Sequence, residues 1–375
     1  MIEENSLEDE SLISSNELGL EDKQKNPYAY YLLLVNILLP SLLVVVTKAM
    51  FAEKSVGSSG ESEYFSDPVF LVLMSSLGAA VLFLIPLFNI PVCGYKIVGV
   101  ELKYDDDKIV YFLIFLSSTS LISYYIFLTI SLVYIPASYY IVIVSFSFMF
   151  LVFIRYFYHR NIMEYTQWVA CGLMFVGLII LVTVAVIFVN IESASSTIHT
   201  SSLIPVICVF LASLMAALEV LIDEVLIKEY NIPQFILMGS NGCIGVVLVL
   251  CILYPIGYLT TSLNFINSIK LVSNSIPLQL LSVSIVFVNS LWWITYVAII
   301  DELDGLWCQL SEFLSALFAW MLSLSLFYFL GAPNGESWKN YSFLELIGYL
   351  FILVGIYVYH SSSTSINECP IPALL

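Results

Sequence analysis

Charge is what this chain has least of. Asp, Glu, Lys and Arg make up 11% of its 375 residues, against about 25% in soluble domains. Hydrophobic residues reach 60% and mean hydropathy is +0.96. No soluble fold hides that much apolar surface, so a polytopic membrane protein is expected. Histidine occurs three times, leaving little for acid–base or metal catalysis. H-E-x-x-H, P-loop and G-x-S-x-G patterns are absent, as is any paired nucleophile and base. The expectation is therefore a protein that is not an enzyme, with no cofactor and no metal. Seven cysteines are scattered, with no C-x-x-C pair. They read as small buried hydrophobes rather than a disulfide framework or metal site. Basic residues are also few: 12 Lys and Arg against 29 Asp and Glu give a net charge of -17. The excess acid lies largely in the Glu3–Asp22 tail and around Asp105, Asp106 and Asp107. These are solvated segments, and they give a nucleic-acid role no support.

What is abundant is long apolar runs. Ten segments stand at about 28–51, 68–90, 109–131, 133–154, 164–189, 203–228, 233–257, 277–300, 305–330 and 342–360, each near the ~20 residues that cross a bilayer as a helix. Breakers separate them: Gly57–Gly60, Asp67-Pro68, Ile232-Pro233, Ile276-Pro277 and Gly331–Gly335. The expected fold is an all-α polytopic membrane protein with ten transmembrane helices, arranged as two inverted five-helix repeats over 28–190 and 203–360. Residues 1–27 form an acidic, disordered cytosolic tail without the basic flank and apolar core of a signal peptide, and 361–375 a second cytosolic tail. Within the first tail, Glu8 stands four residues before Leu12-Ile13, the pattern of an acidic dileucine sorting signal for endosome, lysosome or vacuole.

The inverted repeat rests on parity and on one internal likeness. The fifth segment carries Ala170 seven positions before Val176-Gly177, and the tenth carries Gly348 at the same interval before Val354-Gly355. Small residues two turns apart on one face let helices pack closely in lipid. An odd number of helices per copy turns the second copy upside down, a hallmark of secondary transporters. With a cytosolic N-terminus, Lys23, Lys25, Lys96, Lys103, Lys108, Arg155, Arg160 and Lys228 fall on the cytosolic side and Lys54, Lys270 and Lys339 outside. The glycosylation pattern Asn340-Tyr341-Ser342 then lies in a lumenal loop.

The most informative stretch is Leu203–Asn231. About 16 apolar residues, roughly 24 Å of helix, precede Glu219, short of the ~30 Å hydrocarbon core. Asp223 follows one turn later on the same side, while Glu224 is rotated away towards Lys228. Two readings stand: acids at membrane depth facing a cavity, or a helix end already in the cytosol. Lys48, about twenty residues into the first helix, is either a cavity cation paired with acid or solute, or a side chain snorkelling to the interface. Glu312 begins the ninth helix after Asp301, Glu302 and Asp304. Asn289, Trp292, Trp293 and Tyr296 fall on the eighth helix; Tyr124, Tyr125, Tyr139 and Tyr140 fall on the third and fourth. These aromatics are binding walls or packing belts. The candidate cavity residues are Lys48, Glu219, Asp223, Glu312, Asn289, Tyr139 and Tyr296.

Taken in order, short motifs make the chain resemble the drug/metabolite transporter superfamily, and within it the F subgroup of the solute carrier 35 branch. They are Val46-Thr47-Lys48-Ala49-Met50-Phe51, Asp67-Pro68-Val69-Phe70, Tyr134-Ile135-Pro136-Ala137-Ser138, the acidic pair Asp223-Glu224 with Asn231 and Gly242, and Glu312 before Trp320. Lys48 and Arg155–His159 are also similar to the chloroquine-resistance-transporter family. Ala79-Ala80 and His159-Arg160 depart from the acids of those relatives. The resemblance implies an alternating-access transporter, and the wider branch implies nucleotide-sugar antiport in Golgi or ER. The acids suit instead a cationic or zwitterionic solute, such as an amino acid, peptide or drug-like compound. A proton as co-substrate and a homodimeric assembly stay open, as does a receptor or scaffold that moves nothing. The expected setting is an intracellular membrane, with lipid and a small-molecule solute as partners. If both termini are cytosolic, tags at either end will be digested together, or spared together, on sealed vesicles; opposite protection of the two tags rules out an even helix count.

Overall fold

The computed structural model of the chain describes residues 27–58, 60–88, 107–134, 140–159, 164–193, 203–261, 264–303, 305–330, 338–339 and 341–366. In order these form α1 (Pro27–Ala52), the hairpin β1 (Lys54–Val56) and β2 (Ser62–Tyr64), α2 (Pro68–Val81), α3 (Leu84–Leu87), α4 (Asp107–Tyr134), α5 (Tyr140–His159), α6 (Tyr165–Ser193) and α7 (Leu203–Lys228). There follow α8 (Gln234–Leu248), a π-helical turn (Val249–Leu253), α9 (Tyr254–Thr261), α10 (Phe265–Ser273), α11 (Ile276–Glu302), α12 (Gly305–Leu330) and α13 (Ser342–Ile366). The proposed sorting residues Glu8, Leu12 and Ile13, the cavity candidate Tyr139 and the glycosylation site Asn340 lie outside the described residues.

Among the described residues, eight helical stretches are long and apolar enough to cross a membrane. They fall on α1, α2–α3, α4, α6, α8–α9, α11, α12 and α13. The chain is thus an all-α polytopic membrane protein apart from the short hairpin. Two helices stand outside this set. The described apolar part of α5 is only Phe146–Phe157, and α7 carries Glu219, Asp223 and Glu224.

Prolines explain where the helices are interrupted. Pro86 has no N–H for the Leu82 carbonyl, and α2 ends in a turn before the short α3. Pro255 likewise leaves the Cys251 carbonyl without its helical donor, and the chain widens into a π turn there. Pro40 lies inside α1 and frees the carbonyl of Asn36. At the end of α7, Asn231 adopts a left-handed φ of 50°, and Ile232 N–H donates to the Leu226 carbonyl at 3.1 Å, stopping the helix before Pro233. The fourth helix is displaced from its expected 133–154 to Tyr140–His159. Arg155, four residues before its end, pairs with Glu224 of α7.

The helices pack in a defined set of pairs: α6 on α13, α4 on α7, α1 on both α11 and α12, α2 on α8, and α5 on α7 and α12. Lesser contacts join α2 to α11 and α4, and α8 to α4 and α11. Glycine sets the closest approaches. A Cβ on Gly177 of α6 would meet the Gly348 carbonyl of α13 at 2.6 Å, and one on Gly355 would meet the Ala170 carbonyl at 2.9 Å. Gly242 of α8 lies against the backbone of Ala79 and Ala80, and Gly239 against Phe83 at 2.7 Å. The small residues noted in the fifth and tenth segments thus face each other across one crossing.

One end of the bundle is capped by the hairpin and α10, which lie between the apolar segments. Asp67 caps α2, accepting from Val69 N–H at 2.9 Å and Phe70 N–H at 3.2 Å. Its other oxygen accepts from the Tyr254 hydroxyl at 3.2 Å and the Ser268 hydroxyl at 2.5 Å. The hairpin docks on α10 through Asn267, which donates to Glu63 at 2.7 Å, and through Ser55, which donates to the Leu271 carbonyl at 2.7 Å.

Gly177→Val is expected to force α6 from α13 and to destabilise the protein by about 1–3 kcal/mol, the usual cost of overpacking. Gly172→Ala, where a Cβ meets nothing within 4 Å, is the neutral control; thermal unfolding of both variants in detergent checks the difference.

Candidate functional site

The bundle interior is layered along its axis. Nearest the hairpin end is a small cavity of about 30 Å³, lined by Thr47, Ser75, Tyr124, Tyr125, Thr129 and Trp292 among apolar neighbours. Pro40 of α1 and Ile285 of α11 also line it. Asn289 closes one side, donating to the Ser75 carbonyl at 2.7 Å and accepting from the Tyr125 hydroxyl at 3.1 Å.

Below the cavity lies an aromatic cluster on successive turns of α11. Trp292 and Trp293 have ring centroids 4.8 Å apart, Trp293 and Tyr296 4.8 Å, and Trp292 and Tyr296 6.0 Å. Spacings of three and four residues bring Tyr296 against both tryptophan rings. Trp293 and Tyr296 are fully buried.

Beneath the rings the acids converge. Glu219 and Glu312 are 3% and 5% exposed and Asp223 is 0% exposed. Glu219 is within electrostatic reach of Asp223 and Glu312, and Tyr296 of all three. Asp223 is held by a network across three helices. Ser117 of α4 donates to its Oδ1 at 2.5 Å, Asn241 of α8 donates to Ser117 at 2.9 Å, and Ser118 donates back to Asn241 at 2.8 Å. Its other oxygen, Glu219 Oε1, the Tyr296 hydroxyl and both indole nitrogens have no hydrogen-bond partner among the described residues. At the same level Asn36 donates to Ser311 at 2.6 Å and accepts from Thr295 at 2.9 Å, tying α1 to α12 and α11.

The last layer is ionic. Arg155 of α5 pairs with Glu224, and Lys228 donates to the same carboxylate at 2.9 Å and to the Leu303 carbonyl at 3.4 Å. Gly305 packs against Val220 here; a Cβ at that position would lie 2.7 Å from the Val220 side chain.

The structure therefore brings Glu219, Asp223, Glu312 and Tyr296 together, with Asn289 two turns away by the cavity. Of the two readings of the acids, it shows burial inside the bundle for Glu219 and Asp223 and the solvent-edge ion pair for Glu224. Lys48 is not brought to the acids. Asn36 pairs with Ser311, and Lys48 lies 48 − 36 = 12 residues further along α1, about 18 Å of helix. It is half-buried beside Thr47, at the cavity end. Sequence reasoning missed Ser117, Asn241 and Asn36. A lone amide in an apolar segment was the available signal for the two asparagines; serines are too common in membrane helices to stand out. No cluster of His, Cys, Asp and Glu arranged for a metal occurs among the described residues.

No protein-family profile matches the chain, and no curated protein matches it. A solved crystal structure of a protein superposes on it with a TM-score of 0.53 at 13% identity, covering 91% of this chain and 99% of that one. At that identity the likeness speaks to the fold alone.

Asp223→Leu should leave Ser117 and Asn241 without their acceptor and cost about 1–3 kcal/mol for each buried group orphaned. Asp223→Asn, which still accepts from Ser117, should cost less; thermal unfolding of the purified variants separates the two.

Proposed function

We propose that the protein is a secondary-active transporter of ten spans, built as two inverted five-helix halves and working by alternating access on a small organic solute. The pattern of helix pairing carries this reading. Take the spans as α1, α2–α3, α4, α5, α6, α7, α8–α9, α11, α12 and α13, and exchange each with the one five places on. The α1–α11 contact becomes α7–α4, α1–α12 becomes α7–α5, α2–α11 becomes α8–α4, and α2–α4 becomes α8–α11; all eight contacts are present. The α6–α13, α2–α8 and α5–α12 contacts map onto themselves. Within α6–α13, Gly177 against Gly348 exchanges with Gly355 against Ala170. A chain without internal repetition has no reason to pair its helices in this way, and an odd-numbered half inverts its copy.

The solute is cationic or zwitterionic, because three buried carboxylates converge at mid-bundle and ionisable groups at membrane depth mark substrate and ion paths. A nucleotide sugar, whose diphosphate the acids repel, takes second place. A proton is the proposed co-substrate, and the setting is an intracellular membrane with both termini cytosolic. A scaffold without transport gives the acids no task.

Counterflow uptake into proteoliposomes, against a panel of nucleotide sugars, amino acids, peptides and cationic drugs, tests the reading; absence of flux for every class overturns it. Glu219→Gln should fold normally yet lower uptake about tenfold, the size of one lost charged interaction, and change its pH profile. Parental transport at every pH would leave the acids a structural feature.

A further inference from the structure

Glu219 and Asp223 lie one turn apart on α7. Each keeps one oxygen, Glu219 Oε1 and Asp223 Oδ2, without a hydrogen-bond partner among the described residues. Side chains at that spacing have Cβ atoms about 5–6 Å apart, so two carboxyl groups can meet. The two acids are buried and within electrostatic reach of each other. Buried polar atoms are partnered in more than about 90% of cases. Two orphaned acceptors on adjacent turns therefore ask for a hydrogen that no described side chain supplies.

The surroundings narrow what can supply it. From α4, Ser117 donates to the other Asp223 oxygen, and Asn241 of α8 holds Ser117. From α12 come Glu312 and Cys308, and from α11 comes Tyr296. Arg155 of α5 and Lys228 of α7 are both paired with Glu224. Lys108 of α4 and Asp301 and Glu302 of α11 are exposed near the ends of their helices. Tyr296 is buried, in reach of all three acids, and its hydroxyl has no partner among the described residues. Space is as restricted as charge. The cavity of about 30 Å³ touches this cluster at Trp292 alone and has room for only about two waters. Trp293, Tyr296 and Phe313 are fully buried. A proton is the one cation that needs no volume.

We infer that Glu219 and Asp223 form a carboxyl–carboxylate pair that binds one exchangeable proton between Glu219 Oε1 and Asp223 Oδ2. Two buried acids in contact do not both ionise, and one O–H bonded to either oxygen donates to the other. The proton arrives from hydronium at whichever end of the bundle is open, forms that O–H bond and leaves water behind. Ser117 fixes Asp223 within the pair. The pair keeps one negative charge, and the uncommitted Tyr296 hydroxyl is the dipole within its reach. This gives the proton of the transporter reading a site. Coupling to flux rests on that reading; binding of the proton does not.

The test is infrared difference spectroscopy of the purified full chain in lipid nanodiscs, following the carbonyl stretch of protonated carboxyl groups through a pH titration, with deuterium exchange to identify it. The parent should lose a carboxyl band as pH rises. Glu219→Gln and Asp223→Asn should each abolish the same band, and the double variant should abolish no more, because one proton belongs to both acids. Glu312 is unchanged throughout, so any band of its own cancels between variants. Separate bands for the two acids, a double-variant loss equal to the sum of the singles, or no carboxyl band lost from the parent overturns the inference. Should Asp223→Asn fail to fold, a proton count decides. The parent should release about one proton more than Glu219→Gln over the same pH range, and equal release overturns the pair. A shared band without flux of any solute sinks the transporter reading and keeps the site. Flux with additive bands strikes the site and keeps the transporter reading.

Discussion

Helices in lipid gain little from burying apolar surface against each other, since the acyl chains are equally apolar. What holds this bundle is how closely backbones approach and how its interior polar groups are paired. The α6–α13 crossing shows the first factor: Gly177 meets the Gly348 carbonyl, and Gly355 meets that of Ala170, with no side chain between. The α2–α8 crossing uses Gly239, Gly242 and Gly245 against Phe83, Ala79, Ala80 and Ser76. Close approach multiplies weak dispersion contacts that are individually worth about 0.1–0.2 kcal/mol. Both crossings join helices five spans apart, so the same contacts that stabilise the bundle also join its proposed halves.

The second factor explains the different fates of three acids on one helix. Glu224 finds Arg155 and Lys228 at the edge of the bundle, where the Arg155 and Glu224 side chains are half-buried and Lys228 reaches solvent. Asp223, one residue earlier, points the other way and draws its partners from neutral groups, Ser117 and through it Asn241. Glu219, one turn before, and Asp223 each keep one oxygen without a hydrogen-bond partner among the described residues. Along the helix the partners thus pass from an ion pair at Glu224 to neutral hydrogen-bond donors at Asp223.

Much of this was legible in the sequence, for physical reasons. A 60% hydrophobic chain has few options, and the apolar runs gave helix existence and approximate ends. The i,i+4 rule put Asp223 beside Glu219 and turned Glu224 towards Lys228, as the structure has it. The paired Ala170/Gly177 and Gly348/Gly355 spacings marked the closest crossing, because only small residues serve there. What was not legible depends on partners distant in sequence. The α10 cap and the hairpin are held by Asp67, Asn267 and Ser268, each meeting residues some 200 positions away. Periodicity carries no trace of such contacts. Lys48 failed for the same reason: its depth in α1 was readable, but which layer that depth matched on α12 was fixed only by the Asn36–Ser311 bond.

The layers also constrain how a charge can move. Carboxylates separated by about 4–6 Å repel by roughly 3–4 kcal/mol per charged pair at an effective dielectric of about 20. Any cation entering the acidic layer relieves that repulsion, so the layer attracts positive charge and rejects negative charge whatever the solute. Between the cavity and that layer stand Trp292 and Tyr296. On its other side stand Arg155 and Lys228, both paired with Glu224. The Arg155–Glu224–Lys228 cluster joins α5 and α7 to the Leu303 carbonyl after α11, so three separate stretches of chain are tied at that end by one carboxylate and its two cations.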